Sequence, residues 1–163
     1  MLNSVDNVRK QIAGRHPAID AWLNVRRDLI VNYMQIAGLS LHPVNTPAKP
    51  LSVSLSAYCD QLIDYLSAGH FEIYELLISA YENAEGRHLS LSNRIIDRIQ
   101  ETTEKILDFN EQYGAGEEKD FSSLDHDLSN LGLILEERFK WEDKLVMVLN
   151  VLHAPATEEK ISA

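Results

Sequence analysis

The chain has 163 residues, 45% of them hydrophobic, a single cysteine and a formal net charge of −10. That length suits one domain with an ordinary core that needs neither metal nor disulfide, and the lone Cys59, which excludes an intramolecular disulfide, suits a reducing cytoplasm. Such acidity argues against direct nucleic-acid binding, no apolar run approaches the ~18–20 residues that span a bilayer, and the polar start MLNSVDNVRKQIAG lacks a signal peptide's apolar segment.

Five segments place apolar residues at spacings of three and four, and none alternates as a strand does. The first runs from about Asn3 to Gly14, with Val5, Val8 and Ile12 on one face. The second opens at Pro17, a good first-turn residue, and closes near Gly38, a good C-terminal cap. Its inward stripe is Ile19, Trp22, Arg26, Leu29, Tyr33 and Ile36. Pro43, Pro47 and Pro50 then forbid regular helix over residues 39–53, which predicts an extended connection. The third helix is expected from about Ser54 to Asn83, with Leu55, Cys59, Leu62, Leu66, Ile73, Leu77 and Ala80 inward. Cys59 reads there as a small buried hydrophobe, and the mid-helix Gly69 as close packing or a kink. The fourth spans roughly Ser90 to Gln112, with Ile95, Ile99, Thr103 and Ile106 inward, and Gly114-Ala-Gly116 ends it. The fifth begins near Ser122, which with Asp125 resembles a capping box, and continues to about Leu152. The expected fold is therefore all-α: a mostly antiparallel bundle of about five helices over residues 1–152, with a loose tail over 153–163.

Polar residues interrupt the inward stripes. The fifth helix reads Leu124, Leu128, Leu131, Leu135, Arg138, Glu142, Leu145, Leu149 and Leu152, so an arginine and a glutamate face the core one turn apart. Arg26 has the same placement on the second helix, and His70 falls between Leu66 and Ile73 on the third. A lone buried charge is very costly, so Arg26, His70, Arg138 and Glu142 are expected to form an internal polar network, or else to line a wet cavity. Di-iron bundles need paired Glu-x-x-His motifs, whereas Glu85-Gly-Arg-His88 is a single match beside a glycine, so neither metal nor cofactor is expected. His70 also lacks the lysine and glycine that follow a phosphotransfer histidine. No nucleophile elbow or phosphate-cradling loop is present, and nothing asks for an enzyme. The alternative left open is a bundle enzyme or carrier that holds a metal or small ligand in its polar core.

Charge is unevenly placed: residues 1–50 carry a net +3 and residues 51–163 a net −13. Within the acidic part, Asp60, Asp64, Ser67, Phe71, Tyr74, Glu75 and Ile78 share one helix face that combines acids with aromatics, the composition expected where a basic partner docks. The start MLNSVDNV, the Trp22–Arg27 segment WLNVRR, the block DYLSAGHFEIYE from Asp64 to Glu75, and ERFKWEDKL from Glu137 to Leu145 resemble the Rsd/AlgQ family, the regulators of sigma D. The resemblance covers nearly the whole chain in order and is weakest in the proline-rich loop and the tail. It implies a cytoplasmic, helical-bundle anti-sigma factor that binds the C-terminal, promoter-reading domain of the primary sigma factor, hinders its assembly with core RNA polymerase and favours alternative sigma factors in stationary phase. Some relatives also contact a sugar-phosphotransferase carrier protein and a stringent-response enzyme. Asp64, Ser67, Phe71, Tyr74 and Glu75 are the expected contact residues, with Trp22 and Arg26 in support.

Overall fold

The computed structural model describes residues 3, 6, 16–38, 51–82, 87–115 and 119–152. Among them there is no strand, and the chain is all-α. Asn3 and Asp6 are helical and exposed; the rest of the expected first helix, the proline-rich connection before Leu51 and the tail after Leu152 lie outside the described residues.

Helix α1 spans Pro17–Ile36. His16 precedes it in extended conformation, and Pro17 stands where the helix has no use for an N–H. Gly38 ends it in the left-handed region at φ 68°, its N–H bonded to the Gln35 carbonyl at 3.2 Å. The buried stripe is Ile19, Trp22, Leu23, Arg26, Leu29, Ile30 and Tyr33, one residue wider at two levels than a strict three–four reading, while Ile36 is half-buried.

The expected third helix is a composite rod. Helix α2, Leu51–Ala68, starts directly after Pro50, and a π-helical turn over Gly69–Ile73 joins it to α3, Tyr74–Glu82. The Tyr74 N–H reaches back five residues to the Gly69 carbonyl, so the rod holds one residue more than a regular helix would at this level. That residue resets the phase. Gly69, Ile73, Tyr74 and Leu77 take the inward line, and His70 turns out to solvent. Gly69 packs closely here: a Cβ there would meet the Trp22 ring at 3.5 Å and the Tyr74 hydroxyl at 3.4 Å, ordinary contact distances.

Helix α4 spans Arg87–Tyr113 and buries Ser92, Ile95, Ile99, Thr102, Ile106, Phe109 and Tyr113. Thr103, expected inward, is only half-buried because the stripe runs through Thr102. Helix α5 spans Leu124–Leu152. Its lead-in is fixed by Asp120, whose carboxylate accepts the Ser122 N–H at 2.9 Å, rather than by the expected Ser122–Asp125 box. That bond holds Asp120 below the usual carboxylate range.

Packing follows the stripes: α4 lies along α5, α1 along α2, α2 against α4, and α3 against both α4 and α5. Leu124, Leu128, Leu131, Leu135 and Leu145 of α5 all face inward, each contributing on the order of 2 kcal/mol by removal from water. Cys59 is fully buried, and burial pushes its thiol up to about 11. Gly132 lets α5 approach α1: the Tyr33 hydroxyl donates to the Leu128 carbonyl at 2.8 Å across the space a side chain at 132 would fill.

Candidate functional site

Two arrangements stand out, one inside the bundle and one on the rod's outer side. The inner one centres on Glu142, which is completely buried. Its Oε1 accepts from Arg138 Nε at 2.8 Å and from the Tyr74 hydroxyl at 2.9 Å; its Oε2 accepts from Arg26 Nη2 at 3.0 Å and from the Tyr65 hydroxyl. Four donors saturate the carboxylate. Arg26 adds a bond from Nε to Tyr65 Oη at 3.0 Å and an ion pair from Nη1 to Asp143. Its guanidinium carbon lies over the rings of both Trp22 and Phe139, 5.0 Å from each centre, so the cation rests on two π faces. Arg138 donates from Nη1 to the Ile99 carbonyl, Thr102 and Thr103, and from Nη2 to the Tyr74 hydroxyl.

Two arginines thus face two carboxylates, and the cluster is neutral as a whole. Burial by itself would pull the Arg26 guanidinium down, but Tyr65, Glu142 and Asp143 outweigh it and hold it above its ordinary value. Arg138 follows the same balance, with burial opposed by Glu142, Tyr74 and Tyr65. Burial also pushes the Tyr65 and Tyr74 hydroxyls up, and Glu142 beside them adds to it, so both stay protonated donors. Aromatic contacts lock the geometry: Trp22 stacks on Tyr65 at 5.4 Å and meets Tyr74 edge-on at 6.4 Å. The network ties α1, α2, α3 and α5 to a single carboxylate.

The outer arrangement follows the rod from Asp60 to Glu75. Asp60, Asp64, Ser67, Phe71 and Glu75 are all exposed, and the Phe71 ring, 66% exposed, lies among these polar side chains. The His70 ring packs edge-on against Phe71 at 4.9 Å. Beside this face, Asp60, Ile63 and Asp64 meet Asn110, Glu111 and Ala115 across a cleft of about 530 Å³ between α2 and the end of α4.

The expected site residues therefore divide. Asp64, Ser67, Phe71 and Glu75 are on the surface, whereas Tyr74, Trp22 and Arg26, expected among the contacts, are interior. Tyr74 leaves the face because the π turn rotates it onto Glu142; Trp22 and Arg26 are roofed by the rod. His70, expected in the internal network, is exposed for the reason given above, and Arg26, Arg138 and Glu142 are joined instead by Tyr65, Tyr74, Asp143, Thr102 and Thr103. Tyr65 had a detectable signal: it follows Tyr58 by seven residues, a second inward line beside Leu55, Leu62 and Leu66. Glu111 had none, since its position beside Asp64 is set only by how α4 packs on α2. The single Glu-x-x-His match, Glu85 with His88, which was not expected to hold a metal, falls outside the described side chains. Among the described residues no group of three or more His, Cys, Asp or Glu side chains could hold a metal ion, and no helix is long and apolar enough to cross a membrane.

Residues 1–150 match the family described as "Regulator of RNA polymerase sigma(70) subunit, Rsd/AlgQ". The chain belongs to the Rsd/AlgQ family. Curated relatives extend the match. A "Regulator of sigma D" from Yersinia pseudotuberculosis is 34% identical over 149 residues, covering 90% of this chain and 87% of the relative. A protein of the same name from Shigella dysenteriae is 33% identical over 162 residues, covering 91% of this chain and 94% of its own, and one from Yersinia enterocolitica is 32% identical over 149 residues, covering 90% and 88%. In this Rsd/AlgQ chain the network and the rod's exposed face both lie within the matched span.

Proposed function

We propose that this Rsd/AlgQ chain is a cytoplasmic anti-sigma factor that performs no chemistry. It binds the C-terminal, promoter-reading domain of the primary sigma factor through the outer face of the rod, hinders its assembly with core RNA polymerase, and so favours alternative sigma factors in stationary phase. Family membership and the names of its relatives support the partner. The observation that carries the surface is Phe71, 66% exposed among Asp64, Ser67 and Glu75. A ring surrounded by carboxylates suits a basic, partly apolar surface, and a promoter-reading helix is basic because it meets phosphates. The cleft of Asp60, Asp64 and Glu111 adds acceptors within reach of a partner's arginine.

Attraction between an acidic protein and a basic module speeds encounter and is screened by salt. Stopped-flow association with the isolated sigma domain is expected to slow as ionic strength rises, and Asp64→Ala to weaken the complex about tenfold while leaving the melting temperature unchanged, because Asp64 is exposed. An association rate indifferent to salt, together with full affinity in the Asp64 variant, would remove this face from the reading.

A further inference from the structure

A cavity of about 460 Å³ opens between the rod and α4, next to the arginine–glutamate network and distinct from the acidic cleft. Its depth is graded by exposure. Arg138 and Ile99 at its floor are each 1% exposed, Thr103 is half-buried, and His70, Glu75 and Gln100 at the mouth are exposed. Leu66, Ile78, Ile96 and Ile99 supply apolar wall between the two ends. The volume is that of a small-molecule site, and its make-up, apolar walls with a few convergent polar groups, is the usual one.

Charge and hydrogen-bond supply define the occupant. Arg138 has five N–H groups. Its bonds engage Nε–H with Glu142, both Nη1 hydrogens with Ile99, Thr102 and Thr103, and one Nη2 hydrogen with Tyr74. The second Nη2 hydrogen has no protein acceptor among the described residues. An acceptor on a ligand would complete the guanidinium. A carboxylate is a poor choice, since Glu142 already neutralises Arg138 and Glu75 stands at the entrance. A cationic head would have to lie against Arg138 or stay in the mouth. An uncharged carbonyl satisfies both ends.

We propose that this cavity binds a small uncharged amphiphile: an acyl chain of a few carbons ending in an amide or ester head. The carbonyl accepts from Arg138 Nη2, and the chain lies along Leu66, Ile78, Ile96 and Ile99 toward the mouth. Because Tyr74 and His70 also line the cavity, the occupant touches the π turn that presents Phe71.

The test is a methyl-NMR titration of the full chain, labelled at isoleucine, with hexanamide, hexanoate and hexylamine. Hexanamide is expected to shift the Ile78, Ile96 and Ile99 methyls saturably, to bind about tenfold more tightly than either charged analogue, and to tighten by about fourfold per methylene from butanamide upward. Ile96→Phe and Ile78→Phe fill the same space from different helices, and each should abolish the shifts while keeping the parent's melting temperature. No saturable shift with any probe, shifts that persist in both filled variants, or a preference for hexanoate or hexylamine would each overturn the assignment. Should a filled variant fail to fold, the head-group ranking on the parent still decides.

Discussion

Glu142→Leu is the sharpest probe of the interior. The carboxylate accepts four hydrogen bonds and, among the described residues, is the one acid in an ion pair with Arg138, whereas Arg26 keeps Asp143 when Glu142 is gone. The substitution therefore leaves a guanidinium that is 1% exposed without a counter-charge, together with two tyrosine hydroxyls that lose their acceptor. Removing one partner of a buried pair costs about 3–5 kcal/mol, most of it the uncompensated charge. For a chain of this length that corresponds to a melting temperature lower by on the order of 10 °C. Urea unfolding followed by circular dichroism would measure it. The companion variant Glu142→Leu with Arg138→Met removes both charges and should recover a large part of the loss, because the cost lies in the orphaned cation rather than in the missing attraction. A single variant within about 0.5 kcal/mol of the parent, or a double variant worse than the single, would refute the idea that charge balance inside the bundle sets its stability.

Three further outcomes follow from particular contacts. Tyr65 and Tyr74 are held protonated in the fold above the ordinary tyrosine value, so the unfolded chain loses these protons first as pH rises. Stability is then complete below about pH 10 and falls above it, by about 1.4 kcal/mol per pH unit for each such tyrosine, which alkaline melts should show and Tyr65→Phe should lessen. Gly132→Ala places a methyl group into the Tyr33 ring and hydroxyl, and should cost about 1–3 kcal/mol in a thermal melt through the α1–α5 contact. Phe71→Ser, by contrast, alters a ring that is mostly in water, so its melting temperature should match the parent while titration with the sigma domain loses more than about 1 kcal/mol.

Much of the bundle was legible because the inward stripes repeat at three and four: the α1 line from Ile19 to Tyr33 and the α5 line from Leu124 to Leu145, including Arg26, Arg138 and Glu142, stand where the spacing put them. What was not legible depends on a local break in that spacing. A regular helix through Leu66 and Ile73 must carry His70 inward, and only the five-residue bond from Tyr74 to Gly69 reverses this. The same break exchanges Tyr74 for His70 between surface and core. Trp22 stands on the inward line where the spacing puts it and is expected as a contact as well, because an aromatic with a polar edge suits a contact surface and a ring stack equally; in the fold it stacks on Tyr65. Asp143 and Thr102 were hidden because each is the chain neighbour of a residue already assigned inward, and a stripe one residue wide cannot register a pair.

The π turn lets the rod hold a surplus residue without losing step. The five residues from Gly69 to Tyr74 cover about the turn that four cover in an α-helix, so removing one residue between Gly69 and Ile73 would give an unbroken α-helix with Tyr74 and Leu77 still toward the core and the Tyr74 hydroxyl still near Glu142. A deletion elsewhere in the rod has no such slack and would turn everything downstream of it by about 100°. Tolerance to a change of length is therefore concentrated at this one turn, where a lost residue costs the bulge rather than the packing.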